Sequence, residues 1–207
     1  MHWTHIECGP YRDRMFDLDR FIAGCRATLT STMPSEAVAA LVECAVAAPV
    51  EVEAVLGTPR QGGLFTLHHS PELTVLNVVW SPGMAIYPHE HRMWAVIGLY
   101  GGREDNTFYR RGAGGLEVAG AKQLERSQAA RLDETIIHSV VNPLRGFTRA
   151  IHVYGGDFFA VPRSEWSPET LEERPFDVDR ARRVYARANE RCTMDQARSR
   201  APSGREP

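Results

Sequence analysis

The sequence predicts a mostly β fold, a sandwich or barrel of short strands with helices packed outside it. Runs rich in β-branched and aromatic residues recur over 63–69, 73–80, 85–88, 94–100, 106–110, 116–118, 136–141 and 148–154. Turn residues, glycine above all, separate them, and about eight strands this short need a second sheet or closure to bury one face. The first fifty-odd residues differ in texture, because their apolar positions recur at helical rather than strand spacing.

In that N-terminal stretch Leu18, Phe21, Ile22 and Cys25 follow the i, i+3, i+4, i+7 pattern, and Val38, Leu41, Val42 and Ala45 repeat it after Pro34, until Pro49 breaks it. One-sided apolar stripes of this kind pack against a sheet. After Pro162 the chain turns polar, and Val178, Ala181, Val184, Tyr185 and Ala188 mark one more amphipathic helix. Residues 197–207, rich in Arg, Ser and Pro, read as a disordered tail. We expect one domain over 1–196, with a helical segment to about 60 and the barrel over about 63–165.

Bulk properties narrow the function. At 207 residues with 43% hydrophobic content the chain can bury a full core, and its net charge of -2 offers no basic stripe for a phosphate backbone. Nucleic acid is not an expected partner. No stretch approaches the ~20 apolar residues of a membrane span, and the N-terminus lacks the pattern of a secretory leader, so a cytoplasmic location is expected. Cys8, Cys25, Cys44 and Cys192 are scattered without a C-x-x-C pair, which argues against disulfides and a zinc knuckle; Cys25 and Cys44 read as small buried hydrophobes.

The chemistry concentrates in Gly83-Met-Ala-Ile-Tyr-Pro-His89-Glu-His91 and His138-Ser-Val-Val-Asn142. Strand side chains alternate, so His89 and His91 share one face and Glu90 takes the other. Intervening strands can return His138 to the same wall, completing a three-imidazole metal site. The frame fits the cupin pattern G-x5-H-x-H-x3-E-x6-G at Gly83, His89, His91 and Gly102, but Ala95 stands in the glutamate slot. Three neutral imidazoles cancel none of the charge of a divalent ion, so the site should favour an anionic substrate. A further strand, Ala150-Ile-His152-Val-Tyr154, puts His152 and Tyr154 on one face and Ile151 and Val153 on the other, which places a proton-active pair beside the metal or, on the blander reading, a half-buried polar pair in a sheet.

These segments together, His89-Glu-His91-Arg-Met-Trp94-Ala-Val-Ile-Gly98, Ile-His138-Ser-Val-Val-Asn142 and Ile-His152-Val-Tyr154-Gly, resemble the cysteine dioxygenase family of cupin thiol dioxygenases, nearest to its bacterial 3-mercaptopropionate dioxygenase branch. The likeness runs from about 63 to 163. It implies an all-β core, the cupin double-stranded β-helix or jelly-roll barrel, with N-terminal helices and one C-terminal helix. It also implies iron(II) held by His89, His91 and His138, and a reaction with the cosubstrate dioxygen that turns a small thiol into a sulfinate. His152 and Tyr154 would be the catalytic polar pair. The family's Ser-His-Tyr set is altered, because Ala150 replaces the serine, and the cysteine that animal enzymes crosslink to the tyrosine has no counterpart near Trp94 and Ala95. The family's early-strand substrate contact falls at or near Leu67, which cannot hold a carboxylate. Arg163 matches an arginine that the bacterial branch uses near substrate, and it reads equally as a carboxylate grip or a solvated rim charge.

Tyr87 and Trp94 flank the ligands and are expected in the substrate-pocket wall. At most one of His68 and His69 should point inward, Asp105-Asn106 and Arg110-Arg111 read as turn chemistry, and His2 and His5 have no partner pattern. Two other functions fit the same residues: oxygenative cleavage of a diketone or related enolate, and a cupin module that binds without turnover. The thiol, the depth of its oxidation and the oligomeric state are not readable from the sequence.

Overall fold

The structure, a computed structural model, describes residues 15–200. Three helices come first: α1 (Leu18–Thr28), α2 (Pro34–Ala47) and α3 (Pro49–Leu56). Asp17 caps α1 by accepting from the Arg20 N–H, and Pro34 and Pro49 each open a helix, where proline's missing N–H costs nothing. Pro49 therefore ends one helix and begins another rather than ending helical structure.

The strands follow as β1 (Gly63–His69), β2 (Thr74–Trp80), β3 (Ala85–Glu90), β4 (Ala95–Gly101), β5 (Arg103–Gly112), β6 (Gly115–Glu125), β7 (Ala129–Leu132), β8 (Ile137–Val141), β9 (Thr148–Tyr154), β10 (Ser164–Trp166) and β11 (Glu173–Pro175), and helix α4 (Val178–Arg200) closes the chain. One sheet has the order β1-β2-β9-β4-β7 and the other β11-β10-β3-β8-β5-β6. All pairings are antiparallel, and the two sheets face each other across a shared apolar interior, which makes the fold the expected double-stranded β-helix.

Alternation along the strands separates two cores. Leu76, Val78, Ile97, Leu99, Ala150 and Tyr154 point between the sheets, while Val75, Val96, Ile151 and Val153 point out, under Phe21, Cys25, Val38, Val42 and Val46 of the helices. Gly98 allows that second layer to close: a Cβ there would lie 2.3 Å from a Val42 methyl. Gly83 and Gly102 of the histidine frame both hold the left-handed φ that favours glycine, +63° and +80°.

Several expectations need correction. β5 and β6 extend well beyond the short runs read from sequence and pair with each other as one long hairpin, so Asp105-Asn106 and Arg110-Arg111 lie in a strand, not in turns. Helix α4 continues past Ala197 to Arg200, and the remainder of the supposed tail, like Cys8, His2 and His5, lies outside the described residues. Cys25 is fully buried, but Cys44 is disulfide-bonded, a pairing that sequence spacing cannot reveal because it depends on which loops and helices meet in space. Among the described residues no helix is long and apolar enough to cross a membrane.

Candidate metal centre

A bulge builds the first half of the site. In the β3–β8 pairing Ile86 faces Val140 and His89 faces His138, so β3 spends one residue more than its partner between those rungs. Pro88, which has no N–H to give a ladder, sits in that interval. Strict alternation from Ile86 would carry Pro88 and Glu90 inward; the extra residue turns His89 inward instead, so that Ile86 and His89 both line the cavity. Beyond the strand, Arg92 takes a left-handed φ of 58°, and His91 turns to the same side as His89. Glu90 points the other way and is buried against Arg92 and Arg111, while accepting from the Ser164 N–H.

The three expected imidazoles meet. Ring centroids lie 5.1 Å apart for His89 and His91, 4.8 Å for His89 and His138, and 5.1 Å for His91 and His138. One ligand nitrogen from each lies within 4.8 Å of the others, and the trio could hold a metal ion. Their supports set which nitrogen faces inward. His89 Nδ1 lies 3.0 Å from the Tyr87 carbonyl and His138 Nδ1 lies 2.9 Å from Asn106 Oδ1, both acceptors, so each Nδ1 donates and each Nε2 keeps its lone pair. Burial, with the neighbouring imidazoles, holds His91 and His138 far below the usual histidine range, and burial draws His89 down to about 4. All three are neutral at pH 7 and ready to bind. His138 Nε2 is buried with no hydrogen-bond partner, an unmet lone pair that a cation would satisfy.

Asn142 proves to be a strut. Its amide donates to the carbonyls of Trp80, Ser81 and Gly146 and accepts from the Leu144 N–H and the Thr148 hydroxyl. It fixes the loop after β8 and takes no part in the centre.

Facing the trio, β9 presents His152 and Tyr154, with His152 Nδ1 2.9 Å from the tyrosine hydroxyl and the Tyr154 ring edge-on to His91 at 5.1 Å. Burial raises the Tyr154 phenol well above its usual range, against the pull of Arg163, so it stays protonated. Ala150 is also fully buried and faces the interior, but without a hydroxyl. The cavity between the sheets is small, about 30 Å3, room for about two water-sized molecules at ~10–15 Å3 each. Its other walls are apolar: Leu64, Val78, Trp80, Ile86, Val140, Phe158, Phe176 and Ala181, with Tyr185 of α4 closing one end.

Arg163 is 7% exposed and so is not a solvated rim charge. Its guanidinium lies between Phe158 and Phe176, 4.4 and 4.0 Å from the ring centroids, and Nη1 donates to the carbonyls of Phe158 and Val161. Nε and Nη2 are buried without partners. Burial lowers its pKa to about 10, so it is charged at neutral pH.

Other expected site residues lie elsewhere. The bulge turns Tyr87 away from the cavity, toward Glu165 and Arg174. Trp94 and Leu67 pack in the helix-facing core, and Leu64 is the β1 residue in the cavity wall. His69 pairs with Asp157 at 2.9 Å, and His68 lies near Arg26, so neither joins the centre. Sequence reading missed Glu104, Asn106, Trp80 and Tyr185. Only the polar-polar rhythm of Glu104 and Asn106 on one strand face, opposite to what an apolar interior wants, hinted at the first two.

No protein-family model matches the chain. Similar solved structures include a cupin of double-stranded β-helix fold from Methanocaldococcus jannaschii, at 9% identity over 50% of this chain and 90% of that one, TM-score 0.41. A cupin superfamily protein from Desulfitobacterium hafniense matches at 14% identity over 50% of this chain and 87% of the other, TM-score 0.40. Oxalate oxidase in complex with glycolate matches at 12% identity over 48% of this chain and 53% of its own, TM-score 0.40. Each likeness spans half of this chain or less.

Proposed function

We propose that the protein is an iron(II)-dependent dioxygenase that converts a small thiol bearing an acid group into the sulfinate, RSH + O2 giving RSO2H. The observation that carries this reading is a buried trio of neutral imidazoles without a carboxylate among them, set against a hydrogen-bonded His152–Tyr154 pair. Iron(II), when bound, supplies the redox chemistry that lets dioxygen react with a thiolate. His89, His91 and His138 would hold it, and because they bring no negative charge they leave the attraction for a thiolate undiminished. Tyr154 keeps its proton and sets its hydroxyl at the cavity, where its oxygen can accept a hydrogen bond from the incoming thiol. Arg163 stands behind Phe158 and Phe176 rather than in the cavity wall, and a substrate carboxylate reaching past those two rings would meet its unpartnered Nε and Nη2. The apolar walls exclude water and limit the substrate to a few heavy atoms.

The same apolar lining favours one competing reading, an enolate or diketone with a hydrocarbon body. An oxygen electrode distinguishes them: the iron-loaded protein should consume dioxygen with acid-bearing thiols and not with diketones. Uptake with diketones alone would overturn the thiol reading.

A further inference from the structure

Glu104 is fully buried on β5 and reaches Trp80 and His152 across the interior. Trp80 Nε1, which can only donate, gives its hydrogen bond to Glu104 Oε1 at 2.6 Å, so the carboxylate is anchored independently of anything else in the site. That same oxygen lies 3.7 Å from His152 Nε2, and His152 Nδ1 lies 2.9 Å from the Tyr154 hydroxyl. Neither Glu104 Oε2 nor His152 Nε2 has a direct hydrogen-bond partner, and both are buried. Trp80 of β2 and Glu104 of the opposing β5 thus back His152 and Tyr154 of β9, on the side where Ala150 offers no hydroxyl.

We propose that Glu104 is a positioning residue that holds His152 in the tautomer protonated on Nε2, so that Nδ1 accepts the hydrogen bond of the Tyr154 hydroxyl. The alternative tautomer would turn the Nε2 lone pair toward the lone pairs of a buried carboxylate oxygen. At 3.7 Å the contact is longer than a hydrogen bond, but both groups are buried, where solvent screens it little. With the tyrosine proton committed to His152, the phenol oxygen presents its lone pairs to the cavity. The role is to set geometry and proton position on Tyr154, so its catalytic meaning rests on the dioxygenase reading, whereas the tautomer does not.

The test uses the zinc-loaded protein, in which a diamagnetic ion keeps spectra sharp, labelled with 15N at histidine. Wild type should show His152 with a protonated Nε2 and an acceptor-type Nδ1. In Glu104→Met the ratio of tautomers should move toward Nδ1–H, and in the iron-loaded variant kcat for the thiol should fall roughly 10- to 100-fold, with KM and metal content unchanged. Glu104→Gln, which keeps the acceptor for Trp80 and hence the fold, should move both quantities in the same direction by less. A wild-type His152 protonated on Nδ1, or a ratio unmoved in Glu104→Gln, would overturn the assignment. If the tautomer responds as expected but no thiol is oxygenated, the assignment stands and the dioxygenase reading falls.

Discussion

On the proposed reading, the trio that would hold a metal is separate from the pair that would act beside it, and substitutions should separate them in the same way. His138→Ala should abolish metal binding, and Asn106→Leu, which removes the acceptor for His138 Nδ1, should weaken it by roughly 10- to 100-fold. Tyr154→Phe should keep full metal content and lose turnover. Elemental analysis beside kcat checks all three, and metal retained in His138→Ala would remove that residue from the centre. Arg163→Ala should raise KM for acid-bearing thiols about tenfold or more over neutral ones, since a charge-assisted contact contributes roughly 1.5–3 kcal/mol. Equal effects on both classes would leave Arg163 a purely structural cation between its two rings. His89 and His91 were legible in the sequence because their spacing and the glycine frame are local facts, and His138 because a second motif, His138 with Asn142, marks the strand that returns to them. Asn106 and Glu104 were not, because their meaning depends on β5 lying beside β8 and across from β9.

Faces of strands were harder to read than strands themselves. The alternation on β9 came out as expected, with Ile151 and Val153 under the helices, but Tyr87 was assigned to the wrong side because the bulge at Pro88 shifts the phase. A proline inside a strand pattern was the available signal. Trp94 was misplaced for a simpler reason: Ala95 occupies an interior slot, and its neighbour must face out. Packing of α2 on β4 gives a test at this scale. Gly98→Ala puts a methyl 2.3 Å from Val42 Cγ1 and 2.9 Å from a Val46 methyl, so it should cost roughly 1–3 kcal/mol, read as a lower denaturant midpoint. A midpoint unchanged from wild type would mean that the helix layer shifts freely over the sheet. Gly102→Ala should also destabilise, through its left-handed backbone.

Across the whole molecule, the buried neutral histidines tie stability to pH. An unfolded chain takes up protons on them near pH 6.5, whereas folded His89 resists until about pH 4 and His91 and His138 resist as well. Their folded pKa values are depressed, so the metal-free protein should be most stable above about pH 6.5. It should lose up to ~1.4 kcal/mol per pH unit for each histidine as the pH falls toward 4. Urea midpoints at pH 7, 6 and 5 check the slope, and a flat profile would mean that the imidazoles are hydrated when folded. If the proposed chemistry holds, both atoms of dioxygen end on the thiol sulfur, which mass spectrometry of the product formed under 18O2 reads out. The iron-loaded protein, given a small thiol with a carboxylate, should yield a sulfinate carrying two 18O atoms. A product with one label or none, or unreacted thiol with the metal in place, would contradict it.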